Sequence, residues 1–180
     1  MQIINPLNNI YWSSVLHNGW KLYFAATDKG LCYVGSPNQP FEEMLATVAK
    51  HRTDHPWIQD DEGLKLVREE LIEYLEGTRY NFSIPFDPIG TSFQHAVWHA
   101  LCSIPYGETK SYADIAHSIS KPAAVRAVGA AIGANPVLIG IPCHRVIGKN
   151  GALTGYRGGL EMKTKLLQLE RNHARMSVTI

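Results

Sequence analysis

The segment Ile141-Pro142-Cys143-His144-Arg145-Val146 sets a thiol beside an imidazole and a guanidinium. Nucleophilic sulfur chemistry uses this combination, because a thiol attacks carbon only as a thiolate. An unperturbed cysteine, with a pKa near ~8.5, is mostly protonated at neutral pH. His144 offers a general base, Arg145 a positive charge that lowers the thiol pKa, and Pro142 a fixed entering backbone. The alternative use of such a cysteine is as a small buried apolar residue. The residues upstream bear on the choice.

Residues 111–118 and 122–133 read as two short helices joined by Ile119-Ser120-Lys121, a helix-turn-helix pattern. The second carries Ala123, Ala124, Ala127, Gly129, Ala130, Ala131 and Gly133, and Arg126 is its only long polar side chain. A reader of the major groove needs several Arg, Asn or Gln side chains to reach base edges. A surface of small residues instead lets the backbone approach phosphates and sugars, as a sequence-indifferent minor-groove binder requires. The same residues also suit close packing against a neighbouring helix, and one helix can do both on opposite faces.

A DNA-docking helix about ten residues before a reactive cysteine implies chemistry on a base, which must leave the stacked duplex to be reached. Arg126 is the available wedge for the vacated stack. Tyr112, at the start of the first helix, is placed to hold the rotated nucleotide. The turn Thr154-Gly155-Tyr156-Arg157-Gly158-Gly159 offers backbone groups for a pocket.

Charge divides along the chain. Residues 1–90 hold 7 Lys+Arg against 12 Asp+Glu, net −5; residues 91–180 hold 10 against 4, net +6. A basic second half points to a polyanionic partner for that half. Lys110, Lys121, Arg145 and Lys149 are candidate phosphate contacts or solvated surface. Cys32, Cys102 and Cys143 are widely spaced with no CxxC pair, which argues against a disulfide framework or a cysteine zinc site and suits a reducing compartment. The pairs His95/His99 and His51/His55 lack the third ligand of a metal site, so no metal is expected. No signal peptide and no membrane span are expected either: the apolar stretch 125–141 is broken by Arg126, Asn135, Pro136 and glycines.

The positioning elements follow from pattern. Residues 10–35 read as a three-stranded antiparallel meander turning at Asn18-Gly19 and Asp28-Lys29-Gly30. Helices are expected over 41–52 and 62–76, the latter on the spacing of Leu64, Val67, Leu71 and Leu75, with Gly77 as its stop. Residues 78–90 read as a linker. Ser92 is placed to cap a helix through Cys102. After the helix pair, Asn135-Pro136 stops the second helix and residues 137–141 extend toward Cys143. A short hairpin is expected over 146–153 around Asn150-Gly151, and a closing helix over 160–171.

The motifs Ser111-Tyr112, Arg126-Ala127-Val128-Gly129, Asn135-Pro136, Ile141-Pro142-Cys143-His144-Arg145-Val146 and Tyr156-Arg157-Gly158-Gly159-Leu160, in unbroken order, resemble the O6-alkylguanine-DNA alkyltransferase family. The resemblance implies an α/β N-terminal domain (residues 1–88) with a small antiparallel sheet, ribonuclease H-like in the family. It implies a mainly α C-terminal domain (89–175) with a helix-turn-helix. The implied activity is direct, irreversible transfer of an alkyl group from O6-alkylguanine, and from O4-alkylthymine, in duplex DNA to Cys143, once per molecule and without a cofactor. His144 would take the thiol proton through a water and Glu170, at the end of the last helix, would orient the imidazole. Tyr112 would hydrogen-bond the flipped guanine, and Arg126 would fill its place, with Ala123, Ala124, Ala127, Gly129 and Ala130 against DNA. Asn135 would tie the turn to the cysteine loop. The carbonyls of Cys143 and Val146, and the Tyr156-Arg157-Gly158 backbone, would line the pocket. A cytoplasmic monomer, nuclear in a eukaryote, would fit this role. The competing reading is a non-enzymatic damage sensor or regulator on the same helix, against which Cys143 argues. A cysteine hydrolase is a further alternative, for which the basic half has no use.

Overall fold

A computed structural model describes residues 9–52 and 55–176. Strands β1 (Ile10–His17) and β2 (Trp20–Thr27) pair antiparallel from His17↔Trp20 to Tyr11↔Ala26. Their two-residue turn has positive φ at both Asn18 (47°) and Gly19 (81°), the backbone whose twist matches the strands it joins. Strand β3 (Gly30–Val34) completes the expected meander. A fourth strand, β4 (Trp57–Gln59), joins β1 in parallel, giving the order β3-β2-β1-β4 and a mixed sheet. Three residues are too few for alternation to reveal.

Helix α1 covers Phe41–Ala49, shorter than the expected 41–52, and α2 covers Lys65–Leu75. Asp60 accepts the Gly63 amide at 2.8 Å and holds residues 60–63 in a turn, so the helix starts after Leu64 rather than at Glu62. Val67, Leu71 and Tyr74 form its buried stripe, and Gly77 ends it at φ 75°. Residues 78–90 are not a loose tether. Leu31 N–H donates to the Pro85 carbonyl and Asp87 N–H to Leu31, each at 2.9 Å, and Arg52 pairs with Asp87 at 2.7 Å.

In the second half, α3 (Ser92–Cys102) is capped by Thr91, not Ser92, because Gln94 completes a reciprocal capping box with Thr91. A two-residue strand, β5 (Lys110–Ser111), leads into α4 (Tyr112–Ser118), which Ser111 caps together with Asp114. The second helix of the pair begins as a 3-10 turn over Pro122–Ala124 and becomes α5 at Val125–Gly133. A 3-10 turn over Cys143–Arg145 carries the cysteine, followed by β6 (Val146–Ile147) and α6 (Leu160–Met176). The hairpin expected over 146–153 does not form. Val146 and Ile147 pair in parallel with Lys110 and Ser111, and Gly148 N–H closes a turn onto the Ala152 carbonyl at 2.8 Å. That small ladder sets the start of α4 against the exit of the cysteine turn.

One core runs through both halves, joining Phe24, Leu31 and Leu71 to Trp98, Val128, Leu138, Cys143 and Leu166. Each fully buried Leu, Val or Phe among them stabilises the fold by ~1.5–3 kcal/mol. The edge of β3 continues the contact through backbone: Val34 N–H donates to Pro136 at 3.0 Å and Leu138 N–H to Val34 at 3.2 Å. The cysteine loop thus rests on the N-terminal sheet. Among the described residues, no helix is long and apolar enough to cross a membrane.

Candidate active site

The approach to Cys143 is a tight turn rather than the extended segment expected over 137–141. Ile141 N–H returns to the Val137 carbonyl at 3.0 Å, Gly140 N–H to Leu138 at 2.8 Å, and Ile139 sits at φ 69°. A β-branched residue in the left-handed region costs on the order of 1–3 kcal/mol and persists only where surroundings enforce it. Asn135 enforces it here. Fully buried, its Nδ2 donates to the carbonyls of Ile141 (2.9 Å) and Val137 (3.3 Å), and its Oδ1 accepts the Val137 amide at 2.9 Å. The same Nδ2 lies 3.0 Å from Cys143 Sγ.

Cys143 and His144 are both buried. Burial pushes the thiol above its ordinary value; the Asn135 hydrogen bond and the charges of Arg157 and Lys163 oppose this without overcoming it. The expectation that Arg145 lowers the thiol pKa, or reaches phosphate, fails for a plain reason. Arg145 is itself buried, and its Nε donates to Glu170 at 3.0 and 3.1 Å while its Nη1 reaches the Ile104 carbonyl at 2.6 Å. The resting thiol is therefore neutral, and a base is needed.

His144 is built to be that base. Its Nε2 lies 2.7 Å from Glu170 Oε1, so this nitrogen carries the hydrogen, and the buried Nδ1 has no hydrogen-bond partner among the described residues. Burial holds its pKa below the usual imidazole value, against the pull of Glu170, and leaves the ring neutral at pH 7. For Glu170, burial alone would raise the carboxyl; hydrogen bonding and charge from His144 and Arg145 outweigh it and hold it well below the usual carboxylate range. Gly107 N–H adds a further donor to Oε2 at 2.9 Å. Because α6 continues to Met176, Glu170 projects from within that helix rather than from its end. A neutral thiol on Asn135 and, at the next residue of the same 3-10 turn, a neutral base on a fixed carboxylate are buried together.

Helices α4 and α5 pack together, and Tyr112 Oη at the start of α4 bonds Thr154 Oγ1 of the 148–159 loop at 2.7 Å. Helix α5 divides its faces as small residues permit: Val128, Ala131 and Ile132 pack inward, with Trp98 Nε1 on the Ala131 carbonyl at 2.8 Å. Ala123, Arg126, Ala127 and Ala130 are exposed, while Ala124 and Gly129 are half-buried. Arg126 makes no hydrogen bond or ion pair among the described residues. Tyr156 faces the His144 ring edge-on at 6.4 Å, and its buried hydroxyl has no hydrogen-bond partner among the described residues. Gly158 is half-buried in the turn after it.

Comparison with known proteins now decides the family. Residues 10–88 match the 6-O-methylguanine DNA methyltransferase ribonuclease-like domain, and residues 92–172 match the DNA-binding domain of the same family. The chain belongs to the 6-O-methylguanine DNA methyltransferase family. The inducible methylated-DNA–protein-cysteine methyltransferase of Bacillus subtilis is 59% identical over 162 residues, 90% of each chain. That of Methanosarcina mazei is 45% identical over 164 residues, 91% of this chain and 99% of the other. The crystal structure of Mycobacterium tuberculosis OGT in complex with DNA superposes with a TM-score of 0.77 at 38% identity, covering 91% of this chain and 94% of that one.

Three residues of the site escape pattern reading, and a fourth, Arg157, serves it through a different part. Tyr74, on α2, bonds both His144 and Glu170. Lys163 is buried, and its Nζ donates to the carbonyls of Val146 (2.6 Å) and Thr154 (3.2 Å), so the Val146 carbonyl already has one donor. Arg157 enters the site through its backbone in the sequence reading, yet its side chain is the strut: it donates to the carbonyls of Asn135 (3.1 Å), Val34 (2.8 Å) and Pro136 (3.0 Å). Ser36 in turn donates to the Arg157 carbonyl at 3.0 Å. The only signal for Tyr74 and Lys163 was their place on the inner stripe of a helix, which a core residue shares. Among the described residues no cluster of His, Cys, Asp or Glu is arranged to hold a metal ion.

Proposed function

We propose that this protein repairs DNA by transferring a methyl or other alkyl group from O6 of guanine in duplex DNA irreversibly to Cys143, once per molecule. The observation that carries the reading is the buried His144–Glu170 pair directly after the buried Cys143, in which His144 keeps its lone pair at Nδ1 while Glu170 holds Nε2–H. The proton of Sγ passes, through a water, to Nδ1. The thiolate attacks the alkyl carbon in line; the S–C bond forms and the C–O6 bond breaks. The electron pair goes to the departing guanine, which regains a proton from the imidazolium side, and Tyr112 hydrogen-bonds it as it leaves. Asn135 Nδ2 stabilises the developing thiolate. A thioether does not revert, so the thiol is consumed.

Delivery of the base rests on α4 and α5. The exposed Ala123, Ala127 and Ala130, with Ala124 and Gly129 beside them, let the backbone approach the minor groove, and Arg126 takes the stack position of the flipped nucleotide. The net charge of +6 over residues 91–180 supplies phosphate attraction. The carbonyls of Cys143 and Val146 and the backbone from Tyr156 to Gly158 line the pocket, which O4-alkylthymine also enters. Entry requires Tyr112 to leave Thr154. We place the division of labour at residues 1–88, which brace the site, and 89–175, which bind DNA and accept the alkyl group.

Incubation with a duplex oligonucleotide carrying O6-methylguanine, followed by intact mass measurement, tests the reading. One methyl per protein molecule and no further turnover is the expected result. DNA binding without a mass change would favour a damage sensor.

A further inference from the structure

We infer that Tyr74, contributed by the N-terminal half, is a positioning residue for His144 and Glu170 in the transfer reaction. The inference rests on the methyl-transfer reading above and adds a member to its machinery. Tyr74 is fully buried on α2, and its hydroxyl donates to Glu170 Oε1 in a short hydrogen bond. The same oxygen lies 3.2 Å from His144 Nε2. A hydroxyl whose hydrogen points to a carboxylate presents only lone pairs elsewhere. Nε2 therefore faces two acceptors, Glu170 Oε1 at 2.7 Å and Tyr74 Oη, and must carry the hydrogen. That leaves the lone pair at Nδ1, where the proton of Cys143 has to go. A stacked Phe82 (5.6 Å between ring centroids) and an edge-on Tyr106 (5.9 Å) hold the Tyr74 ring in place.

Tyr74 also sets how strongly Glu170 attracts a proton on the imidazole. Oε1 shares its charge among Tyr74, His144 and Arg145 Nε, and Oε2 between Arg145 and Gly107. The other ionisable groups facing this pair are Lys163, Tyr106 and Tyr156. Removing the Tyr74 hydroxyl leaves more negative charge facing the ring, so His144 holds its proton to higher pH and a smaller fraction is available as base.

Tyr74→Phe keeps the aromatic packing and removes only the hydroxyl. Single-turnover transfer from O6-methylguanine duplex at pH 7 should fall roughly tenfold, within the range a general base contributes. The acidic limb of its pH–rate profile should move upward, while binding of undamaged duplex stays at the wild-type level. Wild-type rate with an unmoved profile overturns the inference, and so does a slower rate with an unmoved profile, which would reduce Tyr74 to packing. Nitrogen NMR of the histidine rings in the wild-type protein tests the tautomer without a variant: His144 should be protonated at Nε2 and bare at Nδ1, and the reverse overturns the inference. If wild-type protein transfers no methyl at all, the functional reading has failed; if it does and Tyr74→Phe matches it, only the role of Tyr74 has.

Discussion

Asn135 Nδ2 stands 3.0 Å from Cys143 Sγ and 2.9 Å from the Ile141 carbonyl, so a single amide group both bends the cysteine loop and faces the sulfur. Truncation to Ala leaves buried acceptors without a donor, at a cost of ~1–3 kcal/mol each. Asn135→Ala should therefore lose about 3 kcal/mol of stability, a drop of roughly 10 °C in Tm. Its thiol should also react more slowly with iodoacetamide at pH 7.5, since the Asn135 bond is the largest influence opposing the effect of burial. A lowered Tm with unchanged thiol reactivity would confine Asn135 to the loop.

Cys143 should be the sole alkyl acceptor. Cys32, buried on β3, is pushed up to about 12 by desolvation, and Cys102, on the surface of α3, is also raised, chiefly by desolvation; neither has a histidine as its neighbour in the chain, as Cys143 has in His144. Peptide mapping after reaction should find the methyl on Cys143 alone. Transfer that survives in Cys143→Ser would refute this. Because α5 is a separate element, Cys143→Ser should retain its affinity for duplex DNA.

The legible parts of this chain were those governed by local rules. Asn18-Gly19 announced its hairpin, the spacing from Leu64 to Leu75 announced α2, and the run through Cys143 announced its chemistry. What stayed hidden depends on contacts distant in sequence. Strand β4 is specified by its pairing with β1, and β6 by Lys110 and Ser111, not by any alternation of its own. The left-handed Ile139 contradicts its residue type and belongs to a turn closed by its own backbone bonds and held from Asn135 and Val34. Arg145 illustrates the limit most clearly. Beside Cys143 in sequence it looked like the thiol's counter-charge, yet in space its guanidinium belongs to Glu170, 25 residues away.

Stability should fall as pH drops below neutrality, in two stages. The His144 pKa is lowered in the folded state, so the unfolded chain binds the extra proton and stability declines as pH falls below the unfolded value of ~6.5. The Glu170 pKa is also lowered, so its contribution is complete above the unfolded value of ~4.3 and is lost on further acidification toward the folded value. Thermal unfolding should show Tm falling between pH 7 and 5 by a few degrees, then more steeply below pH 4. His144→Gln, which carries no titrating proton, should flatten the first stage and keep the second. An unchanged slope between pH 7 and 5 in that variant would assign the first stage to other histidines.

Arg126 offers the sharpest test of base flipping. It is exposed on α5 and makes no hydrogen bond or ion pair among the described residues, so its removal should leave the fold intact. Extruding a guanine costs a few kcal/mol of stacking and pairing, part of which an inserted side chain offsets. Arg126→Ala should slow transfer from duplex DNA by about ten- to a hundredfold, each ~1.4 kcal/mol being a factor of ten. Reaction with the free base O6-methylguanine should barely change, because that substrate needs no flipping. Tyr112→Phe should differ: losing the hydrogen bond to the leaving guanine slows the free base as well. If Arg126 is only a phosphate contact, its loss weakens binding of damaged and undamaged duplex alike and leaves the rate at saturation untouched. Single-turnover kinetics at saturating protein, on duplex and free base in parallel, separate these outcomes. Repeating the binding at two salt concentrations on unrelated sequences adds the complementary check: affinity should fall steeply with salt and hardly vary with sequence, since alanine and glycine read no base edges.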